Sequence, residues 1–185
     1  SQRMPFSCRG QWWRRVSIAT SRWDARAVAA LVQAHQVHRD LYLDAELFAI
    51  EMQRLWARTW LYVGHTSQVP QPGDFITAQL GTQPVLMLRQ ADGAVAVLLN
   101  RCAHKGAQLT LEPSGNAGRT LRCPYHAWSY RLDGTLLGIP LREGYAAPCF
   151  DDAPAAKGLS PYGEVAVHRG FGFARLLGLV LATYA

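Results

Sequence analysis

Residues 42–56 (YLDAELFAIEMQRLW) carry apolar side chains at Phe48, Met52, Leu55 and Trp56, the i, i+4, i+7, i+8 spacing of one helical face. Asp44 stands where an N-cap side chain accepts from free backbone amides, and Glu46 adds negative charge to the first turn. The pattern predicts a helix closing near Arg58, with a shorter one over 25–34 (ARAVAALVQA). From residue 60 the period falls to two. Phe75–Leu80, Pro84–Arg89, Ala94–Leu99, Thr120–Cys123, Ala127–Arg131 and Val165–Ala174 are short β-prone runs, separated by Pro72–Gly73, Gly81, Asp92–Gly93 and Asp133–Gly134. Short strands without strand–helix alternation predict a mostly β, antiparallel core behind an N-terminal helical segment. The expected division is an N-terminal segment over 1–36, a helical segment over 37–59 packing on the core, one domain over 60–176, and a tail over 177–185.

Composition narrows this picture. The chain has 185 residues, 49% apolar and 17% charged, enough for one compact core. No apolar run reaches the length of a membrane span; the ending LLGLVLATYA (176–185) is too short. The net charge of +6 is concentrated at the start, where five arginines precede the first acid, Asp24. Beyond it basic and acidic residues nearly balance, which argues against a nucleic-acid partner. The acid-free opening and the pair Arg14–Arg15 resemble a targeting signal, but Ser17, Thr20, Ser21 and Arg22 interrupt the apolar stretch such a signal needs. A cytoplasmic protein is expected.

The chemistry lies in two passages, NRCAHKGAQ (100–108) and LRCPYHAWSY (121–130). Each supplies one thiol and one imidazole, as Cys102-x-His104 and Cys123-x-x-His126. Pro113, Gly115, Asn116 and Gly118 lie between them and would turn the second passage back beside the first. Cys8 and Cys149 complete the four cysteines; two disulfides are possible, but a chain with this apolar content needs no staples. Two Cys and two His fit a structural zinc, although a zinc finger usually pairs its cysteines closely and sets its histidines on a helix. One thiol and one imidazole per loop suit a Rieske [2Fe–2S] centre, with thiolates on one iron and imidazoles on the other. A merely structural role for these side chains is the third reading.

The words RLWARTWLYVGHTSQVPQPGDF (54–75), NRCAHKGAQL (100–109), CPYHAWSYRLDGTLLGIP (123–140), REGY (142–145) and HRGFGFARL (168–176) resemble the large (alpha) subunit of Rieske non-haem iron aromatic-ring-hydroxylating oxygenases, over about Val37–Ala174. The resemblance implies a Rieske-type antiparallel β-sandwich whose [2Fe–2S] cluster is held by Cys102, His104, Cys123 and His126. It implies an oxidoreductase of aromatic hydrocarbon catabolism. A ferredoxin or flavin reductase would supply electrons, and a mononuclear non-haem Fe(II) in a catalytic domain would activate O2. His126 would face an Asp of a neighbouring subunit in a trimer or alpha3beta3 assembly. That catalytic domain is expected to be absent from this stretch, whose tail departs from the implied continuation; a triad from His35, His38 and Asp40 is disfavoured against simple packing. The alternative is a stand-alone Rieske-type ferredoxin, which would leave Arg54–Phe75 without a role.

The two loops carry finer expectations. Ala107 and Tyr125 occupy the positions that hold a disulfide in respiratory Rieske proteins, which excludes that subtype. The family's usual Gly after the second histidine is Ala127, tolerable if its φ is negative. Extra length between the loops should be absorbed at Ser114–Gly118. Backbone amides around Gly106 and over Tyr125–Trp128 should donate to cluster sulfurs. The Tyr125 hydroxyl is a candidate for the same task. Pro124 presets the turn between its ligands, Trp128 excludes water, and Lys105 faces solvent or a partner. Trp60, Tyr62 and His65 are expected to pack against the core.

Overall fold

The computed structural model describes residues 21–142 and 158–176. The expectations for 1–20, for 143–145 of the REGY word, for Cys8 and Cys149 and for the tail 177–185 lie outside the described residues.

Three short helices open the described chain: α1 (Ala25–Ala29), α2 (Asp40–Leu43) and α3 (Ala45–Glu51). Asp24 caps α1 by accepting from the Ala27 amide. The helix stops short of the predicted residue 34 because the chain turns back, with the Gln33 amide donating to the Gln36 carbonyl. Asp44 caps α3 as predicted, accepting from the Leu47 amide at 2.9 Å; Trp23 Nε1 and Arg22 also donate to its carboxylate. The predicted apolar stripe is not buried. Leu47 is buried, whereas Phe48, Leu55 and Trp56 are exposed. A π-helical stretch, Met52–Trp56, follows α3 directly. Its wider turn departs from the 3.6-residue phase that the sequence pattern assumes.

Ten strands follow among the described residues: β1 (Leu61–His65), β2 (Asp74–Leu80), β3 (Gln83–Arg89), β4 (Val95–Leu99), β5 (Ser114–Asn116), β6 (Thr120–Arg122), β7 (Ser129–Arg131), β8 (Leu136–Gly138), β9 (Glu164–His168) and β10 (Phe171–Arg175). They form three antiparallel sheets in the orders β4-β3-β2-β5, β1-β10-β9 and β6-β7-β8. The mostly β, antiparallel expectation is met. The run Val165–Ala174, which reads as one strand in the sequence, is two: Arg169 and Gly170 both take positive φ, the geometry of a two-residue hairpin turn.

The four-stranded sheet is the middle layer. Val85, Met87, Val97 and Leu99 face one side with Val63 and Ala174 of the β1-β10-β9 sheet. Leu86, Leu88, Ala96 and Leu98 face the other, together with Leu121, Tyr130, Cys102, Cys123 and Trp128. Burial on both faces explains why β3 reads as the unbroken apolar run VLML rather than an alternation. Each of those side chains contributes about 1.5–3 kcal/mol by leaving water. The glycines of β1 and β10 permit the close approach of the outer sheet, since a Cβ on Gly64 would sit 2.4 Å from Ile76 Cδ1. On the exposed face of that outer sheet Tyr62 packs against Phe171 and Phe173, His65 against Phe171, and Trp60 lies under Arg175. Among the described residues no helix is long and apolar enough to cross a membrane.

The segment between the ligand loops is more than slack. Ser114–Asn116 adds β5 to the edge of β2, in register Asp74↔Asn116. The turn at Gly73 clamps residues 116–118 beyond that strand. Its carbonyl accepts from the Ala117 amide, and Asn116 Nδ2 donates to the Asp74 carboxylate at 2.7 Å. Gly73 has φ +89°, and a Cβ there would lie 2.4 Å from the Gly118 carbonyl oxygen. Gly73→Ala should therefore cost about 2–4 kcal/mol, from left-handed strain and a backbone clash together. Gly93→Ala, at φ +87° with nothing within 4 Å of the added carbon, carries the strain alone, about 1–2 kcal/mol. Urea unfolding of both variants checks the order; equal losses would contradict the clamp.

Candidate metal centre

The two ligand loops are closed in the same way. In the first, the Cys102 amide donates to the Ala107 carbonyl at 2.8 Å, and the Gly106 amide donates back to the Cys102 carbonyl at 2.9 Å. In the second, the Cys123 amide donates to the Trp128 carbonyl at 2.8 Å, and the Ala127 amide to the Cys123 carbonyl at 3.0 Å. Each cysteine thus sits at the mouth of a tight loop, with its histidine at the crest. The residue four beyond the cysteine turns left-handed in both: Gly106 at φ +72° and Ala127 at φ +58°. The condition on which Ala127 is expected to be tolerable, a negative φ, is not met; the loop closure overrides the residue's own preference.

The loops bring the four sequence-predicted residues together. Cys102 and Cys123 are buried, form no disulfide, and lie close enough to perturb each other. The rings of His104 and His126 meet edge to face, 4.7 Å between centroids. Trp128 stacks flat on His104 at 4.7 Å and 4°, shielding one face of the ring. Tyr125 lies against His126, 3.7 Å between ring centroids, with its side chain largely in solvent. Lys105 is exposed, and the aliphatic stem of Arg101 covers the open side of Gly106.

The tyrosine hydroxyl at a cysteine sulfur belongs to Tyr130, not to Tyr125. Tyr130 Oη lies 3.0 Å from Cys102 Sγ and accepts from the Ala103 amide at 3.2 Å. Tyr130 is fully buried on β7, so one residue of the sheet beneath the second loop is tied to the first. The signal was present in the sequence: Trp128 and Tyr130 alternate inward with Ser129 between them, and a buried tyrosine needs a partner for its hydroxyl.

Burial pushes the Cys102 thiol up, while the Tyr130 hydroxyl and the His104 backbone amide pull it back down. Burial holds His104 below the usual histidine range, helped by His126 and Lys105, so its imidazole is neutral. Neutral imidazoles and thiols that can shed their protons are the forms that ligate metal. The donor set fits a two-iron cluster. The two thiols lie close to each other and the two imidazoles are in contact with each other, one thiol and one imidazole coming from each loop. His35 and Asp40 do not extend this set; His38 Nδ1 accepts from the Asp40 amide and lies 3.6 Å from the Asp40 carboxylate on an exposed stretch.

Ala127 offers a direct test of the loop geometry. A left-handed alanine costs about 1–2 kcal/mol, against roughly 0.4–1 kcal/mol of extra unfolded-state entropy for glycine. Ala127→Gly should therefore stabilise the protein by roughly 0.5–1 kcal/mol in denaturant unfolding. A loss of stability would mean the residue does not hold positive φ.

With the geometry in place, comparison with known proteins is decisive about family. Residues 59–151 match the Rieske [2Fe–2S] domain. The chain is 39% identical over 155 residues to the chlorobenzene dioxygenase alpha subunit of Cupriavidus sp. (strain PS12), covering 82% of this chain and 33% of that one. It is 41% identical over 106 residues to the N,N-dimethyl phenylurea N-demethylase alpha subunit of Sphingobium sp. (strain YBL2), covering 57% and 23%. The crystal structure of naphthalene 1,2-dioxygenase from Rhodococcus sp. superposes with a TM-score of 0.69 at 28% identity, over 76% of this chain and 31% of that one. The chain spans about a third or less of the length of these relatives. It belongs to the Rieske [2Fe–2S] domain family.

Proposed function

We propose that this chain is the electron-accepting part of the terminal oxygenase component of an aromatic-ring-hydroxylating dioxygenase. Cys102 and Cys123 would hold one iron of the cluster, and His104 and His126 the other. The observation that carries this reading is the division of the donors: two buried thiols side by side, and two imidazoles in contact at the loop crests. When bound, the [2Fe–2S] cluster supplies one-electron storage at a potential raised by its histidine ligands.

The chain's own residues supply the rest. The Tyr130 hydroxyl and the His104 amide aim positive dipole ends at Cys102 Sγ, which favours the more negative, reduced state. Trp128, only 4% exposed, keeps water from the face of His104. Residues 60–176 would act as the unit that receives the electron, with 37–59 laid against it. Pairs of unbridged buried thiols suit a reducing, cytoplasmic setting. In the whole protein, a ferredoxin or flavin reductase would donate electrons, and they would pass to a mononuclear Fe(II) within a trimeric or alpha3beta3 assembly. The relatives' names, among them chlorobenzene dioxygenase, favour an aromatic substrate. A stand-alone Rieske ferredoxin is the weaker reading, since the similarity to the chlorobenzene dioxygenase alpha subunit runs over 155 residues, longer than the stretch 59–151 that matches the Rieske domain.

The test uses the reconstituted chain. Anaerobic titration with dithionite should bleach the visible spectrum with one electron per two irons, and iron and labile sulfide should be present in equal amounts. Cys102→Ala should remove the spectrum and the iron. Full iron content and an unchanged spectrum in C102A would overturn the ligand assignment.

A further inference from the structure

The two ligand loops close alike at their crests but not at their roots. In the second loop the flanking strands pair with each other, Arg122 opposite Ser129, so a β-ladder holds the entry and exit together. In the first loop the entry strand β4 pairs with β3, and the exit, residues 108–112, pairs with no strand of the described chain. A rung is missing where the loop leaves the central sheet.

Asn100 fills that place. It is the buried polar residue of the described chain, 2% exposed. Its own amide donates to the Pro84 carbonyl at 2.9 Å, which fixes it to the central sheet. Its side chain crosses to the exit. Nδ2 donates to the Thr110 carbonyl at 2.8 Å, and Oδ1 accepts from the amides of Leu109 at 3.0 Å and Thr110 at 3.3 Å. One planar group therefore makes the donor and acceptor bonds that a neighbouring strand's backbone would make. Aspartate offers only acceptors, leucine neither, and glutamine is one methylene too long for the same register.

We infer that Asn100 is a positioning residue for the electron-transfer centre: its carboxamide replaces a β-ladder rung and holds Cys102 and His104 in register with the second loop. The inference rests on the ligand assignment proposed above. Both residues lie between the two ends that Asn100 ties, and the Cys102 amide and the Tyr130 contact are set from that frame. Cluster potential and electronic structure follow ligand placement and the hydrogen bonds to sulfur. Loosening the root should therefore move both, beyond any loss of stability.

The experiment compares the holo forms of Asn100→Ala and Asn100→Asp with Asn116→Ala. Asn116 also bridges two segments, through Asp74 and Pro72, but at the Gly73 clamp rather than at a ligand loop. N100A should shift the EPR g-values and the reduction potential and lose iron to a chelator about tenfold faster, because satisfied buried amides become unpaired. N116A should lower the unfolding midpoint while leaving g-values and potential at the wild-type position. If N100A fails to keep its cluster, N100D decides: with the acceptor retained, Leu109 and Thr110 amide protection should persist while g-values and potential shift. Wild-type g-values and potential in whichever holo variant is obtained would reduce Asn100 to a structural role and overturn the inference. Wild-type protein without a Rieske EPR signal would overturn the ligand assignment instead.

Discussion

Everything at the metal centre depends on one repeated backbone device, the closure of a cysteine amide onto the carbonyl five residues ahead. It appears at Cys102–Ala107 and again at Cys123–Trp128, with distances that agree at 2.8 Å. The closure fixes where each thiol points and forces the following turn left-handed, at Gly106 and at Ala127. Loops this tight hold their shape only on a rigid base. The central sheet provides it, with β3 buried on both faces and both loops resting on the side that carries Leu86, Leu88 and Leu98.

The electrostatics follow from that placement. Cys102, carried into a core cluster with Trp128 and Tyr130, loses solvation, and that burial pushes its thiol up. The hydrogen bonds from Tyr130 and the His104 amide oppose this and favour charge at Cys102. A cluster bound through Cys102 would have to displace its proton, and these hydrogen bonds would compensate the charge left behind. His104, half-buried and kept neutral, is ready to ligate without that cost.

Much of this was legible in the sequence. Period-two runs broken by Gly, Pro and Asp-Gly located β2, β3 and β4 to within a residue, because each breaker has a fixed backbone preference. The Asp44 cap was readable for the same reason. The Cys102-x-His104 and Cys123-x-x-His126 spacing named the side chains that the structure brings together. The hidden features depended on contacts distant in sequence. Tyr130 lies 28 residues from Cys102, so its hydroxyl bond needed the third sheet to be in place. The left-handed Ala127 follows from a loop closure that no propensity reports. The apolar stripe read over 48–56 stays exposed at Phe48, Leu55 and Trp56, because periodicity predicts a face but not what covers it. Asn100 looked like one polar residue beside a motif until the missing strand pair gave its amide a purpose.

The central claim is that imidazoles of both loops, not thiols alone, hold the cluster. Pulsed EPR of the reduced protein grown with 15N-histidine tests it most directly. The account predicts two histidine nitrogens coupled to the reduced cluster, both changing with the label, and one of them lost in His104→Cys if that variant keeps its cluster. A cluster signal with no histidine nitrogen coupling would contradict it.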